Sequence, residues 1–332
     1  TRTRVDHFQT TQSRGFSWSP GFRCAVLVLI ALSLVVPVSL VNPASGQEEE
    51  KEEIPPPKDS ILTTRDGVEL AITYYPPIKP SKDVVPVVLL HKFKGSRRDY
   101  VDLANMLQRA GHAVVIPDLR GHGRSTSVVG STQTLDADRL NALQMKAMVV
   151  SDMEAVNEYL WERNNEGELN VNRLCIVGAE MGASVAMLYA ARDWSIRPYG
   201  SLQLGQFVKG LVLISPEWSI KGLSVQPAMQ NPNVRGDISI LIAVGNRKPI
   251  AVREAKRIYD MLKPHHPEPP ANRVADEKDL FYAGLDTALQ GTDMLGQGLK
   301  LEQFIAQFIN LRLVKASKAR TFEWQERRRP LQ

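Results

Sequence analysis

Leu174-Cys175-Ile176-Val177-Gly178-Ala179-Glu180-Met181-Gly182-Ala183 runs from an unbroken apolar segment into a helical pattern of small and apolar residues. LCIVG (174 to 178) does not alternate, so it reads as a strand apolar on both faces, and AEMGASVAMLYAAR reads as the helix that follows. The same sequence of signals recurs on either side. VPVVLLH (85 to 91) precedes a helix over about 98 to 110, and AVVIPD (113 to 118) precedes a loop and a long helix from about 139 to 163. VKGLVLIS (208 to 215) leads into a polar loop, ISILIAVG (238 to 245) into PIAVREAKRIYDMLK, and DLFYAGL (279 to 285) into LEQFIAQFINLRLV. Earlier, ILTTR and VELAITYY flank Asp66-Gly67 and predict a β-hairpin over 60 to 76. Apolar strands alternating with helices predict an α/β domain over 59 to 314: a mostly parallel, twisted sheet of about eight strands with helices on both faces. Pro216 to Asp237 is too short for a sizeable lid domain. In such sheets the chemistry sits at the carboxyl ends of the strands.

Three of those ends are distinctive: Leu90-His91-Lys92-Phe93-Lys94-Gly95-Ser96, Asp118-Leu119-Arg120-Gly121-His122-Gly123-Arg124-Ser125, and Val177-Gly178-Ala179-Glu180-Met181-Gly182-Ala183. In this order and on these strands they resemble the α/β-hydrolase family, in its esterase, lipase and serine-aminopeptidase-like branch. The resemblance covers nearly all of residues 60 to 314. It implies a nucleophile elbow of the form G-x-S-x-G, where the strand-to-helix turn is so tight that glycines must flank the nucleophile. Gly178 and Gly182 keep that spacing, but Glu180 stands at the serine. Gly182-Ala183-Ser184-Val185-Ala186 offers a rival register at Ser184, which would need the strand to continue through Glu180 and Met181 against the apolar pattern. The resemblance also implies an acid after the seventh strand, where Gly245-Asn246-Arg247-Lys248-Pro249-Ile250 carries Lys248. It implies a His after the last strand, where Ala288-Leu289-Gln290-Gly291-Thr292 carries Gln290. Phe93 and Met181 fall at the oxyanion-hole positions, with Lys92 where a small residue is common.

Acyl transfer of this kind needs a hydroxyl activated by a neutral imidazole, and a carboxylate to orient that imidazole. Gln290 cannot take up and return a proton near neutral pH, and Lys248 would repel an imidazolium. The carboxylate elbows of the dehalogenase and epoxide-hydrolase relatives use Asp together with a His, so Glu180 reproduces neither partner. His91 and His122 are expected in structural use, and His265 and His266 lie before the last strand, at the wrong end of the sheet. Glu217 reads as a solvated loop carboxylate. The triad-equivalent set Glu180, Lys248 and Gln290 therefore predicts a silent site. One expectation is that Glu180, Gln290 and Lys248 form an ion-paired or hydrogen-bonded bridge in place of the triad. An active hydrolase of carboxylic esters or other small acyl substrates is the alternative.

The chain has 332 residues, 41 Lys and Arg against 36 Asp and Glu, and two cysteines. That excludes a disulfide framework, a four-thiolate zinc site and a wholly disordered chain. No zinc spacing, P-loop or dinucleotide fingerprint occurs, so neither cofactor nor metal is expected. The net charge of +5 belongs to the ends, because between Gln47 and Leu311 there are 30 basic and 33 acidic residues. Residues 24 to 41 are uncharged and apolar, with Arg2, Arg4, Arg14 and Arg23 before them and Glu48 to Glu53 after. Residues 1 to 46 thus read as an extension and signal peptide, cleaved after Gly46, with an uncleaved membrane anchor as alternative. Either way the domain lies outside the cytoplasm. Residues 47 to 58 read as an acidic, Pro-rich linker, and 315 to 332 as a solvated basic tail. The expected partner is a small molecule or protein of unknown identity. No nucleic acid is expected, and membrane contact only through the N-terminal segment if it is uncleaved.

Overall fold

The hairpin around Asp66-Gly67 forms, with β1 (Lys58–Thr63) antiparallel to β2 (Glu69–Tyr75). The structure is a computed structural model describing residues 53–200, 202–315 and 322–328. The segment read as a signal peptide or anchor and the first half of the acidic linker, residues 47–52, lie outside the described residues. Among the described residues no helix is long and apolar enough to cross a membrane.

β3 (Pro86–Leu90) leads to α1 (Val101–Arg109), and β4 (Ala113–Pro117) leads through a long loop to α2 (Ala142–Ala147). After α3 (Met153–Asn165), β5 (Leu174–Ala179) turns directly into α4 (Met181–Ser195). β6 (Val208–Ile214) is followed by a small hairpin, β7 (Ser219–Ile220) and β8 (Leu223–Ser224), and by the short helices α5 (Gln226–Gln230) and α6 (Pro232–Gly236). That is all that stands where a lid could have been. β9 (Ser239–Gly245), α7 (Pro249–Leu262), α8 (Val274–Glu277), β10 (Leu280–Leu285) and α9 (Leu301–Ile309) complete the domain.

Eight strands make one sheet in the order β1-β2-β4-β3-β5-β6-β9-β10, antiparallel through β1, β2 and β4 and parallel from β4 onward. The unbroken apolar runs are explained by two cores. Val88, Leu90, Ile176, Leu213 and Ile242 face a layer built by α3, α4 and α7. Their neighbours Val87, Leu89, Cys175, Val177, Val212 and Leu241 face the opposite layer, built by α1 and α9. With both faces covered there is no polar side for alternation to mark.

The long helix expected from 139 to 163 is interrupted by a π turn at Met148–Asp152. Asp152, fully buried in that turn, accepts from the backbone N–H of Arg120 at 2.9 Å and from its Nη2 at 2.6 Å. Arg120 also donates to Asp66 at 2.6 and 2.9 Å, so the loop after β4 is tied to the first hairpin and to this helix. A wide turn that re-aims one side chain is the usual reason for a π segment.

The C-terminal tail corrects the sequence reading. Residues 322–328 are bound to the domain through their backbone and Arg327 is only 5% exposed, while Glu323, Gln325, Glu326 and Arg328 face solvent. The cause is a set of asparagine side chains that bind its backbone, described below.

Candidate active site

Glu180 sits between β5 and α4 with φ +48° and ψ −109°, and its N–H donates to Ile214 O at 2.9 Å. A non-glycine residue in that region is strained by about 1–3 kcal/mol and persists only where the surroundings dictate it. The surroundings here are backbone. A Cβ on Gly178 would lie 2.3 Å from Gly182 O, and one on Gly182 would lie 2.2 Å from Leu90 O, so only glycines let α4 pass this close to β5 and β3. The turn is thus an elbow that presents Glu180 at the carboxyl edge of the sheet. Ser184 lies one turn into α4, fully buried, with its Oγ donating to Glu217 O at 3.2 Å, so it is a helix-interior residue and not a second elbow.

The Glu180 carboxyl group is half-buried and packs over the backbone of Gly291, where a Cβ would come 2.7 Å from its Oε1. Burial raises its pKa above the ordinary glutamate range. Lys92 and Lys248 oppose that rise, and Asp293 adds to it. Lys92 reaches from the loop after β3 and pairs with Asp293 at 2.5 Å, closing one side of the site with an ion pair.

Gln290 is 8% exposed and fully engaged. Its Oε1 accepts from Ser215 Oγ at 2.7 Å, and its Nε2 donates to Gly245 O at 2.9 Å and to Ala288 O at 3.4 Å. Ser215 in turn accepts the N–H of Gly291 at 3.0 Å and itself takes φ +48° at the end of β6. Lys248, at the N-terminus of α7, is exposed and makes no ion pair with Glu180 among the described residues. The expected Glu180–Gln290–Lys248 bridge is therefore not formed. The Gln290 amide is turned toward β6 and β9, and Lys248 is exposed, where an ion pair returns little for ordering a long side chain.

The His91 ring is held as a neutral imidazole by partners on both nitrogens. His91 donates from Nδ1 to Lys92 O at 2.7 Å and accepts the Leu119 N–H at Nε2 at 3.0 Å, and burial pushes its pKa down to about 4. His122 lies 4.9 Å from it, with Nδ1 2.9 Å from Arg120 O, and burial lowers its pKa too. Phe93 stacks edge-on against His122 at 5.6 Å, and Met181 is the first, fully buried residue of α4. His265 lies after α7, away from the elbow, as its position in the chain implies.

A cavity of about 250 Å³ opens between Glu180, Ser215, Glu217, Lys248, Glu254 and Gln290. Glu217 is not the free loop carboxylate expected. It is half-buried in this cavity, with its pKa raised by burial and then by the nearby charges of Glu180 and Glu254. Ser215, Glu254 and Asp293 were not singled out from sequence, although Ser215 ends an apolar strand at the edge where function was sought. Among the described residues no group of three or more His, Cys, Asp or Glu is placed to hold a metal ion.

Sheet order, elbow and the positions of 180 and 290 at the strand ends define the α/β-hydrolase class. Residues 82–254, just over half of the chain, match the model of the serine aminopeptidase S33 family, and the chain belongs to that family. Among solved structures it is similar to an esterase of Pyrococcus furiosus, with 18% identity, 78% of this chain and 93% of that one covered, and a TM-score of 0.53. It is similar to TT1662 of Thermus thermophilus with 16% identity, 78% and 99% coverage and a TM-score of 0.52. A dienelactone hydrolase of Anabaena variabilis gives 14% identity, 77% and 99% coverage and a TM-score of 0.52. At these identities the likeness is one of fold. No curated protein matches the sequence.

Proposed function

We propose that this chain is a catalytically silent α/β-hydrolase-fold protein, exported from the cytoplasm and acting as a binding or partner module. The observation that carries the reading is Gln290. At the place of the family's base stands an amide whose oxygen and nitrogen are both committed, to Ser215 and to Gly245. An amide does not shuttle protons at neutral pH, and Glu180 has no imidazole to activate water against an ester formed on it. The cavity lined by Glu180, Ser215, Glu217 and Gln290 would hold a small polar molecule without turning it over, and Phe93 and Met181 are the residues that the family resemblance sets at an oxyanion hole. The export half of the proposal rests on the charge-flanked apolar run 24 to 41. Protease accessibility of the domain in intact cells tests it separately.

An active ester or acyl hydrolase is the second reading, favoured by the strained elbow and the raised Glu180 pKa, both marks of a reactive site. One assay separates them. With p-nitrophenyl acetate and butyrate, the silent reading expects wild type and Glu180→Gln both to match the uncatalysed rate. Turnover by wild type that disappears in Glu180→Gln would overturn it.

A further inference from the structure

The sequence Asn164-Asn165-Glu166-Gly167-Glu168-Leu169-Asn170-Val171-Asn172-Arg173 joins α3 to β5 and carries four asparagines, all of which bind one extended segment. Asn170 Nδ2 donates to Phe322 O at 2.8 Å, Asn172 Nδ2 to Glu323 O at 2.5 Å, and Asn164 Nδ2 to Gln325 O at 3.0 Å. Asn165 takes both backbone groups of one residue, accepting the Arg327 N–H at 2.7 Å and donating to Arg327 O at 2.9 Å. Asn164, Asn170 and Asn172 are 0%, 1% and 6% exposed. Their own oxygens are partly spent on fixing the groove, Asn164 Oδ1 accepting Val171 N–H and Asn170 Oδ1 accepting Asn172 N–H. Two side chains of the segment are read as well. Trp324 donates from Nε1 to Asn164 O at 3.3 Å under the ammonium of Lys82, 3.9 Å from its ring centre. The Arg327 guanidinium stacks on Phe207 at 4.7 Å.

We propose that this asparagine-lined groove is a peptide-recognition site, separate from the cavity at Glu180, whose ligand class is an extended segment with Arg three residues after Trp. Residues 322–328 are its resident ligand. Side-chain amides that bind main-chain carbonyls at successive positions recognise extended backbone, while the Trp and Arg positions select sequence. The groove lies before the first residue of β5 and Glu180 follows the last. At about 3.3 Å per residue the two are separated by the roughly 20 Å length of that strand. The stack of Arg327 on Phe207 gives the Arg position its selectivity, and its Nε and Nη2, buried without a partner, keep the net gain small enough for the segment to exchange.

The test uses a fluorescent peptide of the sequence Phe322 to Arg328, titrated into the full chain and into the full chain carrying Trp324→Ala and Arg327→Ala. In the wild type the resident segment competes at the millimolar effective concentration of a tethered ligand. By anisotropy the peptide should therefore bind the double variant at least about tenfold more tightly. A peptide with the Arg327 position replaced by Ala should lose that affinity. Equal affinity for both chains, no binding to either, or binding indifferent to the Arg would each overturn the proposal. A second measurement needs no variant. Saturating unlabelled peptide should speed hydrogen exchange of the Arg327 amide in the wild type, and an unchanged rate would also overturn it.

Discussion

Ser215 Oγ lies 2.7 Å from Gln290 Oε1, so the residue that the family resemblance sets at the base position is hydrogen-bonded to the end of β6, and among the described residues no hydrogen bond joins it to Lys248 before α7. A Ser that holds a Gln in the place of a His marks where a carboxylate would have to stand to orient an imidazole.

Rebuilding the site should follow that geometry. Glu180→Ser, Ser215→Asp and Gln290→His together should give ester turnover at least about 100-fold above the parent, the lower range of general acid–base catalysis. The set with Lys248→Asp in place of Ser215→Asp should be at least about tenfold weaker, because position 248 is exposed while position 215 is hydrogen-bonded to position 290. Aspartate also tolerates the positive φ of position 215 better than most residues. Steady-state kinetics on p-nitrophenyl esters compare the two sets, and the reverse order would show that the acid belongs on β9.

Glu180 combines strain with a half-buried charge, and two variants separate them. Glu180→Gly removes strain worth about 1–3 kcal/mol and costs about 0.5–1 kcal/mol in chain entropy, so it should stabilise the fold by about 1 kcal/mol. Glu180→Gln removes only the charge. Because the folded pKa of Glu180 is raised, its contribution is intact at low pH and is lost as pH rises through that pKa. The Gln variant should thus match wild type near pH 4 and surpass it at pH 8. Thermal unfolding midpoints across that range decide the matter, and a constant offset would show that burial does not govern this carboxylate.

The strands and the elbow were legible because their causes are local: apolar runs need cover on both faces, and two glycines four residues apart at a strand end need a close backbone approach. The rotamers at the site were not legible. Sequence brings 180, 248 and 290 to one edge, but the turn of the Gln290 amide depends on Ser215, 75 residues away along the chain. The docking of the tail was hidden for the same reason. Arg327 binds Asn165 across 162 residues, and a basic terminal segment has no local pattern that distinguishes a docked from a solvated state. Four asparagines between Asn164 and Asn172 were the one visible trace of the groove.

The elbow glycines should be intolerant of any side chain. Gly178→Ala and Gly182→Ala each place a Cβ within 2.3 Å of backbone oxygen, which no rotamer change relieves. Each should cost at least about 3 kcal/mol, the upper range of overpacking. Urea unfolding measures this, and a loss below about 1 kcal/mol would mean that α4 can shift away from β3 and β5.

His91 should set part of the acid sensitivity. Burial holds it at about 4 in the fold, against 6.5 in a solvated chain, so between those values the unfolded state binds more protons. Its contribution to stability is complete above pH 6.5 and is lost as pH falls toward 4. His91→Leu cannot titrate, and it also strands the Leu119 N–H that Nε2 accepts at 3.0 Å, an expected loss of about 1–3 kcal/mol near pH 7. The difference between wild type and variant should therefore be largest at pH 7 and shrink by pH 5. Urea midpoints at pH 7, 6 and 5 give that difference directly, and a gap that stays constant would mean that burial does not depress the pKa of His91 in the native fold.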